Sequence, residues 1–283
     1  MNIGGVPIAA GGYGCIFKPQ LRCAEKKPYD ENNISKLMYS ADAKSEMKTI
    51  NKLYKYISKI PNYKSFFIID STYVCQPKPL TNKDKKNFNN VCDNIFPKYN
   101  KDNINKNIKK FKIINRPDGG IDIESFWGMC FNTLHNQCKS AFINTNNSLL
   151  RLLTHGIIPL NNNNYLHLDV KAQNILREGE INTDNVNCRL IDWGLSTEVK
   201  NSIPNSVKTR VLQFNLPFST MLFDIEINII LSESKTFDPT EIAKKVYYND
   251  LSKHGRGHYD YISFIMQLLG KNIDSVIIEH ISV

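Results

Sequence analysis

The 283-residue chain predicts an α+β protein in which a small β-rich part precedes a larger helical part. Three observations carry that prediction. Short apolar segments around a glycine turn open the chain, and apolar side chains then recur at helical spacing after Ala41 and again in the second half. No internal repeat interrupts this order. Hydrophobic residues make up 41% and charged residues 22%, which excludes a mostly disordered, collagen-like or disulfide-miniprotein chain. No apolar run approaches the roughly 18 residues of a membrane span. Met1 to Ala10 carries no basic segment followed by a sustained apolar one, so a soluble intracellular protein is expected.

Taken in order, Ile8 to Phe17 reads as a hairpin and Asn33 to Met38 as a short strand. Ala41 to Ile57 reads as a helix, because Met47, Ile50, Leu53, Tyr54 and Ile57 follow three- and four-residue spacing. Ser65 to Val74, rich in Phe, Ile and Tyr, reads as a strand or two. Thr81 to Lys112 is dominated by Lys, Asn and Asp. With few apolar side chains to offset the entropy of ordering it, this stretch predicts an extended surface insertion. Phe111 to Asn115 resumes strand character. Arg116 to Gly120 is a turn and the predicted hinge between residues 1–115 and residues 116–283. Ser148 to Gly156 is the clearest helical stretch beyond it.

The seven cysteines are odd in number and none forms a CxxC pair. Free thiols in a reducing compartment are therefore expected, with neither a disulfide framework nor a zinc knuckle. The net charge is +9, but Lys travels with Asn and Ile throughout, as AT-rich coding DNA would dictate. Nucleic acid is not expected as the main partner. The lysines of the insertion (Lys83, Lys85, Lys86, Lys106, Lys109 and Lys110) predict a solvated surface, with a docking arm for acidic proteins or nucleic acid as the alternative.

Three clusters carry chemistry. Ala9 to Ile16 contains Gly11, Gly12 and Gly14, and glycines let a hairpin lie close over phosphates with backbone N–H groups turned to the anion. His167-Leu-Asp169-Val-Lys171-Ala-Gln-Asn174 brings a carboxylate, an ammonium and an amide into one short loop. The carboxylate can accept a hydroxyl proton, the ammonium can neutralise a moving phosphoryl group, and the amide oxygen can ligate Mg²⁺. Leu190-Ile-Asp192-Trp193-Gly194 is an apolar strand ending in a second carboxylate, 18 residues after Asn174.

The order of glycine-rich loop, Lys36, Glu46, HxDxKxxN and DxG resembles the eukaryotic-type Ser/Thr protein kinases. Gly11 to Pro19, Ile34 to Met38 and Phe214 to Ser219 look most like the divergent kinases of large nucleocytoplasmic DNA viruses. The resemblance implies a two-lobed fold with a β-rich N-lobe and a helical C-lobe, ATP and Mg²⁺ as cofactors, and protein substrates with Ser or Thr acceptors. It also implies residence in a host cytoplasm or virion. Carried onto this chain, it makes Asp169 and Lys171 catalytic and Asn174 and Asp192 the metal ligands. Ile8, Ala9, Gly11, Gly12, Gly14 and Ile16 would cover the nucleotide. Lys36 would contact the phosphates and pair with Glu46, Leu176 would floor the adenine, and Ile114 would back the pocket. Asn115 to Asp118 would form the hinge strand, while His167 and Trp193 would be packing residues.

The chain also departs from the family pattern. Ala9 stands where the first loop glycine usually does, only ten residues separate Lys36 from Glu46, and Pro117 offers no N–H at a hinge position. Leu168 replaces the Arg that commonly reads an activation-loop phosphate, so activity without such phosphorylation is expected. No APE motif follows Asp192, and Asn215 to Pro217 is the candidate end of the segment. A small-molecule phosphotransferase and a nucleotide-binding pseudokinase scaffold are the alternatives. Lys171 argues against the first, and the presence of Lys36, Asp169 and Asp192 against the second.

Overall fold

The computed structural model describes residues 4–11, 13–133, 138–180, 183–200, 202, 204–208, 225 and 229. The protein is mixed α+β, with a sheet-rich N-terminal region and helices after it. It divides into two compact units, Met1–Asn163 with Lys171–Gly194, and Asn164–Val170 with Leu195–Val283. The boundary expected between residues 115 and 116 lies inside the first unit.

The first unit is built on five strands: β1 (Val6–Gly11), β2 (Gly14–Lys18), β3 (Asn33–Tyr39), β4 (Tyr73–Cys75) and β5 (Phe111–Pro117). They form one antiparallel sheet in the order β1-β2-β3-β5-β4. Side chains alternate between its faces. Cys15, Phe17, Leu37, Phe111 and Ile113 point into one core, while Met38 and Ile114 pack with Ala43 of the helix α1 (Ser40–Ile57) on the other. That helix forms where the apolar spacing predicts it. Asp42 in its first turn and Lys55 in its last complement its dipole.

The stretch after Leu80 corrects the expectation of an extended surface insertion. It covers the first sheet face and buries Phe88, Cys92, Phe96, Ile104 and Phe111 completely. It contains the short helix α2 (Phe88–Cys92) and a 3₁₀ segment, Ile104–Lys110. Few large apolar side chains suffice because they meet as an aromatic cluster. Phe96 lies 5.1 Å from Phe111 and 5.4 Å from Tyr39, both edge-on, and 6.4 Å from Phe88. The asparagines also stand in for backbone partners. Asn105 both accepts from Leu80 N–H (2.7 Å) and donates to its carbonyl (2.9 Å), and Asn89 accepts from Lys101 N–H (2.8 Å).

The same folding overturns the expectation of free thiols. Cys15–Cys92 and Cys23–Cys75 are disulfides spanning 77 and 52 residues, while Cys130, Cys138 and Cys188 are free. No local spacing marks these pairs, because they meet only once the insertion lies back over β2 and the sheet edge.

The strand expected over Ser65 to Val74 is limited to β4. Phe67, Ile68 and Ile69 are all buried, and Ser71 at φ 58° breaks the extended run. Phe67 instead makes a single parallel bridge to Leu190. Beyond β5 come β6 (Ile121–Asp122), α3 (Ile123–Thr133) and α4 (Cys138–Arg151). The helix continues through a π turn at Leu152–Ile157 into α5 (Ile158–Asn162). Gly156 is required in that turn, since a Cβ there would sit 2.9 Å from the Phe66 Cβ.

In the second unit Tyr165–Leu166 forms β7. In the first, Ile175–Glu178 and Asn187–Leu190 form β8 and β9, and the order β6-β8-β9 makes a small antiparallel sheet. Its Arg177 is buried beneath the Phe126 ring (4.4 Å) and donates to Thr145 Oγ1 and to the carbonyls of Gly179 and Glu180. Within the second unit, β10 (Thr197–Glu198) pairs antiparallel with β7. No helix among the described residues is long and apolar enough to cross a membrane.

Candidate functional site

The register of the large sheet collects the predicted N-terminal site residues into one line. Ala9 pairs with Ile16, Ile16 with Lys36, Lys36 with Ile114, and Ile114 with Val74. Cross-strand partners share a face, so Ala9, Ile16, Lys36 and Ile114 lie together on the face opposite the insertion. Lys36 is buried, and its Nζ meets Glu46 Oε2 of α1 at 2.7 Å. Only 8% of the lysine side chain and 14% of the glutamate side chain are exposed. Such a pair holds the ammonium at a fixed point under reduced solvent screening, where it can meet a further anion.

The glycine hairpin forms as predicted, and Gly11 pairs with Gly14. Gly11 is exposed with open space around it, and Ile8 is exposed at a bulge between Pro7 and Ala9. Gly14 is buried, and a Cβ there would come 2.8 Å from the Leu37 carbonyl oxygen, so glycine permits the close approach of β2 to β3. Gly12 lies outside the described residues, as do the DNA-virus-like Phe214 to Ser219 and the candidate segment end at Asn215 to Pro217.

Asn115, expected in the hinge strand, lies on β5. Its side chain is fully buried on the opposite face from Lys36, where it accepts from Ser35 Oγ and donates to Cys23 Sγ (3.5 Å). Any ligand on the Lys36 face meets only backbone at this position. The strand also runs further than expected. Asn115, Arg116 and Pro117 belong to β5, with Pro117 paired to Asn33. The Asp118 N–H donates to the Asn32 carbonyl (3.0 Å), and the Asp118 carboxylate pairs with Lys18. The chain leaves the sheet through Gly119 and Gly120, and Gly120 has φ 91°.

Residues that the motifs did not flag surround Leu176, which is buried with Ile68 and Ile191 in one apolar cluster. A Cβ on Gly119 would lie 2.3 Å from Ile68 Cδ1 and 2.6 Å from Leu176 Cδ1, so the backbone at Gly119 rests directly on that cluster. The adjacent glycines at 119 and 120 were the available signal; Ile68 had none.

Asn174 ends the 3₁₀ turn Ala172–Asn174, which follows the half-buried, extended Lys171. The Asn174 carbonyl accepts from Ile191 N–H (2.9 Å), which sets Asn174 beside the residue preceding Asp192. Asp192 adopts φ 64°, a conformation that costs a non-glycine residue about 1–2 kcal/mol. Trp193 is buried edge-on to Phe67 with centroids 5.4 Å apart. An amide and a carboxylate placed by one backbone hydrogen bond supply oxygen donors of the kind a Mg²⁺ ion takes.

In the second unit, His167 is buried and its Nδ1 accepts the backbone N–H of Asp169 (3.2 Å). Asp169 is itself 95% buried, at 5% exposure. Between them Leu168 is held at φ 60°, which is unusual for a bulky side chain. The Asp169 backbone is thus held beside a strained neighbour and a packed imidazole.

Among the described residues, Cys23, Glu25 and Cys75 also lie close enough to suggest a metal cluster. Their two sulfurs are already joined to one another. Comparison with protein-family models gives no match, and comparison with curated proteins gives none either.

Proposed function

We propose that the chain is an ATP-dependent Ser/Thr protein kinase with a two-lobed kinase-like fold, related to the kinases of large nucleocytoplasmic DNA viruses. The observation that carries this reading is the buried Lys36–Glu46 pair, made from the third strand to the following helix. It lies in line with Ala9, Ile16 and Ile114 on the face below the glycine hairpin. In this reading Lys36 anchors the ATP phosphates, Leu176 carries the adenine, and Asn174 and Asp192 hold Mg²⁺. Asp169 orients the acceptor hydroxyl and takes its proton, and Lys171 offsets charge on the moving phosphoryl group. Catalysis rests mainly on positioning and electrostatics.

The test is transfer from γ-labelled ATP into a protein extract, with phosphoamino-acid analysis and Asp169→Asn as control. Labelled Ser or Thr that vanishes in the variant supports the reading. Transfer that persists in Asp169→Asn refutes the role of Asp169. Mg²⁺-dependent ATP binding should survive in Asp169→Asn and be lost in Asp192→Ala.

A further inference from the structure

Positive charge is concentrated in the segment that packs behind the sheet. Between Lys78 and Lys112 there are ten lysines, no arginine, no glutamate and three aspartates. The remaining chain is nearly balanced, with 26 basic against 24 acidic residues. A coding bias toward lysine acts on the whole chain, so it does not account for seven of nine net charges within 35 residues. One of the three aspartates, Asp84, is buried and accepts from Thr81 N–H and Oγ1 (2.7 and 2.8 Å), which leaves little acidic surface. Lys83, Lys86, Lys106, Lys109 and Lys110 are exposed and Lys85 is half-buried.

Such a segment would ordinarily be a solvated, mobile arm. Here it is fixed by the Cys15–Cys92 bond and by Phe88, Phe96 and Phe111 packed against the sheet. Charges on an ordered scaffold bind without first losing chain entropy. The aromatic rings all turn inward, and Tyr99, which is half-buried, lies against Lys110. No aromatic side chain of the segment is exposed, so it offers no stacking platform for unpaired bases. Apart from Lys112, which lies on β5 and pairs with Met38, the lysines belong to the segment packed on the sheet face away from Lys36, so a partner bound there leaves the Lys36 face accessible.

We propose that residues 78–112 form a preorganised docking surface for an acidic segment of a partner protein. The surface is a place of attachment, separate from any acceptor site, and its test needs no phosphoryl transfer. The full oxidised chain is titrated against a fluorescent peptide of ten glutamates, and against a ten-nucleotide oligo-dT, by anisotropy at 50 and 200 mM salt. Two variants with the same charge change are compared: Lys83→Glu with Lys86→Glu in the segment, and Lys44→Glu with Lys48→Glu on the exposed side of α1. Circular dichroism verifies that both are folded, and Lys106→Glu with Lys109→Glu serves as a second segment variant.

The surface predicts peptide binding that weakens at least tenfold with salt. It also predicts at least tenfold loss in the segment variants and less than threefold loss in the α1 variant. Equal loss in both kinds of variant would reduce the effect to net charge and overturn the proposal. So would tighter binding of oligo-dT than of the peptide, or no peptide binding at 50 mM salt.

Discussion

Replacing Phe96 with alanine removes a fully buried ring that touches Phe111, Tyr39 and Phe88. A buried Phe→Ala change costs about 3–5 kcal/mol through lost transfer energy and the cavity left behind. Phe96→Leu keeps most of the volume but loses the ring-to-ring geometry, worth about 0.5–1.5 kcal/mol per aromatic pair. Over the three pairs of Phe96 this is at most about 1.5–4.5 kcal/mol, and because leucine keeps most of the volume its variant should lose less than the alanine variant and remain folded if that one does not. Urea denaturation followed by fluorescence of Trp127 and Trp193 gives the assay. With a slope of about 1–3 kcal/mol per molar urea, the alanine midpoint should fall by more than about 1 M. If the segment were a solvated arm, both variants would stay within about 0.5 kcal/mol of the parent, the range of ordinary surface substitutions. A shift that small in Phe96→Ala would refute the packed insertion.

Three further outcomes follow from the same packing. In oxidised protein unfolded in denaturant, which exposes the buried Cys130 and Cys188, only Cys130, Cys138 and Cys188 should alkylate, and all seven cysteines after reduction. On the chain-entropy account, each disulfide contributes about 4 kcal/mol for loops of 77 and 52 residues, so reduction should lower the thermal midpoint sharply. Alkylation of all seven without reductant would contradict the pairing. Gly119→Ala places a methyl into Ile68 and Leu176 and should destabilise by about 1–3 kcal/mol, read by denaturation; an unchanged midpoint would show that the Gly119 backbone stands away from the cluster.

Burial raises the Asp84 carboxyl pKa above its ordinary 3.8, against the hydrogen bonds from Thr81 and the charge of Lys83, which lower it. A raised folded-state value means the folded protein holds this proton more tightly than the unfolded chain does. Stability relative to Asp84→Asn should thus be greatest below the ordinary value. It should fall as pH climbs through the raised one and stay level above it. Parallel denaturation profiles of parent and variant across the acid range would exclude that burial effect.

Local pattern made the Lys36 face legible. The hairpin, β3, α1 and β5 follow from period-two and helical spacing over short stretches, and Lys36 and Glu46 are close enough in sequence for one strand-to-helix step to join them. The other face is decided by encounters across long separations. Cys15 meets Cys92, Phe96 meets Tyr39, and Ser35 meets Asn115 only after the chain has folded back. A count of apolar residues between Thr81 and Lys112 undervalued what a few fully buried rings contribute, and it took asparagines as markers of disorder. In the folded protein they replace backbone partners that a strand or helix would have supplied. The alternation that places Ile114 with Lys36 sends the Asn115 side chain to the opposite face, where its partners Ser35 and Cys23 come from distant parts of the chain.

The two faces are mechanically linked through β2. Ile16 and Gly14 turn toward Lys36, whereas Cys15 and Phe17 are held by the insertion. A shift of the hairpin on one side must therefore disturb a disulfide and an aromatic core on the other. The insertion braces β2 against such movement, and with it the register that sets Ile16 beside Lys36. The same bracing holds the strand from which Lys36 reaches Glu46. A covered rear face gives β2 a fixed base, so the position of the Lys36 ammonium is set by packing on both faces of the sheet.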